Sequence, residues 1–403
     1  MQNHKNLFTF VATLLAVVAV IALVVWVAPH MANMFSLERP AGQVGYDANS
    51  VRAEVIAIID EGEITLGDHQ QRYQIFNALV LEGAYAGQTV EVEYGVHTLR
   101  AAEADVHPGD QVLISIGQHQ DGSLVAFFTD FIRTGNILQL FLVFVAMSAL
   151  IGGWKGLRGL IGIGFSLLVI VSFIIPQILA GRDPVLTSIL GSFIFLSVSL
   201  YLVYGWTMKT HAAVVGVLIA LVLTGSLSLF FVNFTRLDGF GDENAMFLVQ
   251  MSTTPIDLRG LLLGGMIIGA LGVLDDLVIS QSSAVFELHG ANPNLSLGFL
   301  YRRAMNIGSD HVAATVNTLV LAYAGASLPM LLMFSLNNQN LAFLVNINFI
   351  AEEIVRTLVG SIGLFASVPI TTMLACLAAT HSDRLGKLRD FLGPATNYEE
   401  HPH

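Results

Sequence analysis

The sequence predicts a polytopic α-helical membrane protein of about eight transmembrane helices, with a small extracytoplasmic all-β domain of OB-like barrel type. Three observations lead there. The 403 residues are 54% apolar and only 12% charged, against about 25% charged in an ordinary soluble domain. Eight apolar runs approach or exceed the ~20 residues that a ~30 Å hydrocarbon core demands. Between the first two of them the pattern changes to short β-rich segments with period two.

The first run, Phe8 to Ala28, follows His4 and Lys5. It exceeds the roughly 7–15-residue core of a secretory signal, and Pro29 suits a cleavage site poorly, so a retained anchor over 1–34 is expected. Residues 35–130 hold candidate strands at Val51–Ile59, Tyr73–Phe76, Thr89–Tyr94, Gln111–Ile116 after the turn His107–Asp110, and Leu124–Phe128. About six short strands with Gly and Asp turns predict a small closed barrel. No aromatic ladder or basic groove marks it for nucleic acid, which leaves a structural or partner-docking cap.

Residues 131–382 make the expected seven-helix membrane domain, with spans near 136–153, 158–180, 185–204, 212–232, 260–285, 312–335 and 357–380, and 383–403 a tail. Basic residues set the orientation. Lys155, Arg158, Lys209, Arg302 and Arg303, with Arg384, Lys387 and Arg389 of the tail, fall on one side, while short loops opposite hold Arg182, Arg236 and Arg356. Both termini are therefore expected in the cytoplasm, in a multi-pass protein of the cytoplasmic membrane, with 35–130 outside. A weak repeat accompanies this layout. Leu157-Arg-Gly-Leu160 echoes Leu258-Arg-Gly-Leu261, Leu200–Gly205 echoes Leu319–Gly325, and Val215-Gly216 echoes Val359-Gly360. Such copies, inverted in the membrane, would put a site at their interface.

Composition removes several function classes. The net charge of −12 is concentrated in acidic residues of the 52–130 region, which is no footprint for nucleic acid. The single Cys376 permits neither an intrachain disulfide nor a thiol cluster. No HExxH, GxSxG, Walker or CxxC pattern occurs, so no enzyme, cofactor or metal site is expected.

The strongest signal lies in Gly269-Ala-Leu-Gly-Val-Leu-Asp-Asp276, two carboxylates inside an apolar run from Leu261 to Phe286 that lacks Lys and Arg. An Asp near the bilayer centre costs about 2.5–3.5 kcal/mol on insertion scales. Gly265, Gly269, Gly272, Asp276, Ser280 and Ser283 recur at steps of four and three, which puts them on one helix face. Small residues there would admit another backbone, so Asp276 is expected in the interior, about 22 Å along the helix from Leu261. Asp275 is rotated about 100° away, beside Leu271, Ile279 and Ser282. One reading is a proton or cation pathway; the other is a carboxylate satisfied by neighbouring helices that fixes register. Asn306, Asp310 and Asn317 form a second polar stripe, with Asn317 expected to reach the Asp276 helix. Gly308-Ser309-Asp310 also reads as a helix start, which would explain Asp310 by itself. Glu352, Glu353 and Arg356 precede the last span at spacings that allow a local ion pair, or an outer gate.

The chain resembles the YibE/F family of bacterial polytopic membrane proteins. The resemblance rests on Gly269–Asp276 with Ser280-Gln-Ser-Ser283, on Met305–Asp310 continuing into Asn317–Gly325, and on Ala351–Arg356 leading to Gly360–Gly363 and Val368–Thr371. It covers roughly residues 130–380 and carries Asp275, Asp276, Ser280, Asn306, Asp310, Asn317 and Arg356 over as polar positions. Two adjacent Asp residues stand where a single acidic one is expected. The resemblance implies a permease-like protein and names no substrate. The expectation is a proton- or cation-coupled transporter of a small solute or ion in the lipid bilayer, working by alternating access. The rivals are a scaffold or receptor docking an envelope partner through the β domain, and an intramembrane enzyme on a lipid-linked substrate. Glycine-rich faces would permit a homodimer but serve equally for packing within one subunit.

Overall fold

The computed structural model describes residues 50–67, 69–97, 105–118, 124–252, 254–336, 341–381 and 392–395. The expected anchor at 1–34 and the tail basic residues lie outside them. By its contacts the chain falls into two compact units divided between Met147 and Ser148.

In the first unit, β1 (Ser50–Leu66), β2 (His69–Val80), β3 (Thr89–Tyr94), β4 (Gln111–Gln118) and β5 (Leu124–Phe131) close a barrel in the order β1-β2-β3-β5-β4. Five strands replace the expected six among the described residues. All five segments read from the sequence are present, and β1 and β2 run well past their expected ends. β1 pairs with β4 through Ser50–Glu54 and with β2 from Ala53 onward. Register shifts at Val55/Ala57 and Ile58/Asp60 bend it so that one strand serves both neighbours. β3 and β5 join in parallel, which shuts the barrel without an open edge.

Alternation fills the barrel. Ala53, Val55, Phe76, Ala78, Val80, Val90, Val92, Val112, Ile114 and Ala126 are all buried. One polar side chain joins them. Gln74 accepts from the Val106 amide at 2.8 Å and donates to the Val106 carbonyl at 3.3 Å, holding the chain before β4 against the barrel. The turn behind it closes when Asp110 accepts the His107 amide at 2.8 Å, with Gly109 at φ 92° as the left-handed step. Replacing Gln74 by Leu in the full chain orphans both Val106 groups. The expected loss is about 1–3 kcal/mol of barrel stability, read as faster hydrogen exchange at the Val106 and Val55 amides.

The rest is helical: α1 (Thr134–Val169), a π turn (Ile170–Ile174), α2 (Ile175–Leu179), α3 (Pro184–Tyr204), α4 (Met208–Phe234), α5 (Glu243–Met251), α6 (Leu258–Ala291), α7 (Leu297–Ala326), α8 (Leu328–Leu336), α9 (Leu341–Leu344) and α10 (Asn348–Thr380). Five of these helical runs are long and apolar enough to cross a membrane, or six when the bent pair α7–α8 counts as one. Of the eight spans expected, the second and third form one run, Thr134–Leu179, broken at Gly153, where φ 53° and ψ −135° leave the helical region. The seventh bends by 60° at Ser327, next to Pro329. Proline there lacks the amide that would carry the helix through. Pro176 has the same effect on the preceding turn, which widens into the π geometry, Ile175 N–H bonding back to Ile170 O.

In the helical unit α6 is the most enclosed helix, packed by α3, α4, α7 and α10. Met208, Val285, Phe286, Leu300, Ala304, Cys376 and Ala379 cluster at one end. Val232, Leu237, Leu262, Met266, Val355 and Val359 cluster at the other. The helices therefore run alternately up and down between two ends. α4 and α10 lie antiparallel and meet twice in mirrored fashion. A Cβ on Gly216 would stand 2.5 Å from Thr371 Oγ1, and one on Gly363 would overlap Thr224 Oγ1. Gly216 is to Gly363 as Thr224 is to Thr371, and the buried neighbours match in step: Val217 with Leu364, Ala220 with Ser367, Leu221 with Val368. This pairing is not the expected echo of Val215-Gly216 at Val359-Gly360, since a Cβ on Gly360 would meet only Leu319 at 4.0 Å and the seam glycine of α10 is Gly363. Gly363→Leu is expected to cost about 1–3 kcal/mol by overpacking this seam, lowering the melting temperature in detergent. Gly265→Ala, with no atom within 4 Å of the added Cβ, is expected to raise stability by about 0.5–1 kcal/mol.

Candidate functional site

α6 explains itself by which side chains it buries. Leu263, Ile267, Leu271, Leu274, Val278 and Val285 are almost wholly enclosed. Close approach occurs only where a Cβ would collide: at Gly260, 3.0 Å from Pro184 Cδ, and at Gly264, 2.5 Å from Ser188 Oγ. The stripe Gly265, Gly269, Gly272, Asp276 is instead turned outward and exposed, with Ser280 and Ser283 half-buried along its continuation. The expectation of an interior small-residue face carrying Asp276 is therefore corrected. Between helices in lipid, close packing decides, and here the aliphatic side chains of α6 fill the interior spaces that glycines would leave empty.

Asp275 lies about 100° around the helix from Asp276. It is half-buried, and its Oδ1 is fully enclosed without a hydrogen-bond partner among the described residues. It stands about 26 Å from the start of α6 at 1.5 Å per residue, so it is far from either helix end. It opens on a cavity of about 410 Å³ between α1, α3 and α6. Gly159, Ser166 and Ile170 form one wall, Phe195, Ser199 and Tyr204 the second, Ile268 and Leu271 the third. Gly272, at the edge of the stripe, lines the same cavity. Ile170 opens the π turn, so the widened backbone is part of the wall. The Ser166 hydroxyl donates to Gly162 O at 3.0 Å, which leaves its oxygen lone pairs toward other groups. Lys209 Nζ lies 5.9 Å from the centroid of the Tyr204 ring.

The second predicted stripe is not joined to the first. Asn306, Asp310 and Asn317 are exposed on α7, whose buried side is Leu300, Ala304, Gly308 and Val312. Asn317 makes no bond to α6. Nor does Asp310 begin a helix: α7 starts at Leu297, and Gly308-Ser309-Asp310 lies within it. The polar link between α6 and α7 is Gln281, a residue the sequence reading passed over inside Ser280-Gln-Ser-Ser283. Its Nε2 donates to Ala304 O at 2.9 Å and to Thr372 Oγ1 at 2.7 Å, tying α6 to α7 and α10 at one point. The signal was available, since an amide buried among apolar residues must find partners. Ser282 Oγ donates to Lys209 O at 2.8 Å and fastens α4 to the same helix.

At the opposite end, Arg356 Nη1 pairs with Glu353 Oε2 at 2.7 Å, the local ion pair that the spacing allows. Glu352 turns inward instead and accepts the Gly241 amide at 3.2 Å. Beside it Asp238 accepts from the Phe240 amide at 3.0 Å and from Asn348 Nδ2 at 2.5 Å, binding the α4–α5 loop to the start of α10. The Phe240 amide first, and Asn348 second, hold the Asp238 carboxyl below the ordinary carboxylate range. A lowered folded value contributes stability above the unfolded value of about 3.9, lost as pH falls through the folded one. Protection of the Phe240 amide is thus expected to be flat through neutral pH and to fall only below about pH 4. In Asp238→Ala it is expected to be low throughout.

Among the described residues, no three His, Cys, Asp or Glu side chains converge as a metal site. The arrangement at Asp275 is one carboxylate, a few hydroxyls and apolar walls, suited to holding a proton or a single positive charge. No curated protein and no solved structure matches the chain. A family profile described as YibE/F-like protein matches residues 140–381, more than half of the chain and every residue that lines this cavity. The apolar helices, the blocks around Asp275 and that match agree, and the chain belongs to the YibE/F-like family of proteins.

Proposed function

We propose that this protein is a multi-pass permease of the cytoplasmic membrane, moving a small solute or ion by alternating access, with Asp275 as its coupling carboxylate and Asp276 beside it. One observation carries the reading: an enclosed, unpartnered carboxylate oxygen on the most enclosed helix, opening on a cavity. A buried carboxylate left ionised and alone is costly, so it holds a proton or a cation. Where a cavity adjoins it, that neutralising partner has a route for exchange. The mirrored α4–α10 seam supports the mechanism, because two antiparallel helices with matched contacts offer two similar packings. The topology we propose has eight spans with both termini cytoplasmic and the barrel outside. Lys155, Arg158, Lys209, Arg302 and Arg303 stand at one end of the helices, while Arg182, Arg236, Arg259 and Arg356 stand near the other.

Exposed Ile56, Ile59 and Phe127 on the barrel favour a second reading, a scaffold or receptor that docks an envelope partner. The two separate in sealed proteoliposomes carrying an internal pH dye, under imposed pH, Na⁺ and divalent-cation gradients. Wild type is expected to move protons and Asp275→Asn to abolish that movement. Undiminished flux in both Asp275→Asn and Asp276→Asn would sink the carrier. The scaffold instead predicts that removing 35–130 abolishes function while both substitutions are tolerated.

A further inference from the structure

The geometry points to the chemistry of the occupant: we propose that the cavity beside Asp275 binds an amphiphilic organic monocation, one protonated or quaternary nitrogen on an apolar, ring-sized body. This rests on Asp275 being a binding group within the bilayer, and it names what that group holds.

Charge decides the sign. The lining contains one carboxylate and no Lys, Arg or His, with Ser166, Ser199 and Tyr204 as its hydroxyls. An anion there would meet Asp275 with no cation in the lining to offset it, Lys209 standing over the Tyr204 ring instead. The number of oxygens decides against a bare inorganic ion. Ca²⁺ takes about 6–8 oxygen ligands and Mg²⁺ a near-ideal octahedron, mostly of water, whereas these walls are largely hydrocarbon. Phe195, Leu196, Leu200, Ile268 and Leu271 would strip a hydration shell and return nothing for it. An alkyl or aromatic body loses no hydration of value there and gains contact. Its single charge needs one counter-charge, and the enclosed oxygen of Asp275 has no other partner among the described residues.

Size agrees. About 410 Å³ is within the roughly 300–1,000 Å³ of small-molecule sites. The room is built into the backbone, because the π turn starting at Ile170 widens the α1 wall ahead of Pro176. Phe195 brings an aromatic side chain to the lining, a type of group that attracts a desolvated cation. A proton and an organic cation cannot both neutralise one carboxylate, so each displaces the other. In a carrier that competition drives them across the membrane in opposite directions.

The test is binding of a fluorescent monocation, 9-aminoacridine, to the purified full-length protein in detergent, read by anisotropy without any gradient. Uncharged acridine in mildly alkaline buffer is the control for shape. Saturable binding of the aminoacridine is expected, at least about tenfold tighter than acridine, the scale of a charge-assisted contact. Asp275→Asn is expected to remove that preference. Gly159→Leu addresses the cavity from another helix. Its Cβ meets nothing within 4 Å, so the side chain enters without displacing backbone, and it is expected to weaken binding of both probes. Equal binding of charged and neutral probes would overturn the proposal, as would wild-type affinity in either variant. Binding without proton flux in liposomes would overturn the carrier and leave the site standing. Flux without binding would do the reverse.

Discussion

A glycine against a hydroxyl fixes how closely the helices of this bundle approach. Gly162 meets Ser199, Gly264 meets Ser188, Gly216 meets Thr371 and Gly363 meets Thr224. Water contributes no hydrophobic force between helices in lipid, so close packing and weak polar contacts must hold them. A glycine Cα–H facing a hydroxyl oxygen supplies both, as a small C–H···O attraction where a side chain would forbid contact. That the Ser188, Thr224 and Thr371 oxygens have no conventional partner among the described residues fits this arrangement. The core between them is then filled by Leu and Ile, and the remaining polar groups are left where packing allows.

The functional consequence lies in what this spacing does to α6. Held at Gly264 on one side and by Gln281 on another, the helix has no freedom to rotate, and rotation decides which of two adjacent carboxylates faces in. Asp275 is half-buried and Asp276 exposed because of contacts about three turns before the pair and about one and a half turns after it. The unusual pair is thus two different groups: one opening on a cavity, the other on the outer face of the helix.

Much of this was legible in advance. The five strand segments, the turn at His107–Asp110, the positions of the helical runs and the Glu353–Arg356 pair all follow from period, turn chemistry and local spacing. What misled was the face of α6. A stripe of small residues fits a contact surface, yet only Gly260 and Gly264 are contacted closely. Periodicity groups residues on a face without saying which way the face looks. Asp310 misled for a similar reason, since Gly-Ser-Asp has the chemistry of a helix start and only the earlier turns of α7 override it. Gln281 was visible but overshadowed by the carboxylates. The α4–α10 seam uses Gly363 and not the Gly360 of the expected echo, because short apolar words recur and only contacts choose among them.

The π turn gives the cavity wall a dependence on chain length. Relative to an α-helix, a π turn holds one residue more in the same rise. A chain lacking one residue between Ile170 and Ile174 could close this turn as ordinary helix. Everything before it would then rotate by about 100° against everything after it. With α2 seated on α3, Ser166 and Gly159 would swing out of the cavity and neighbouring apolar side chains would swing in. The identity of that wall is therefore stored as a count of residues rather than as any bond, and an insertion or deletion there would rewrite the site without altering one of its side chains.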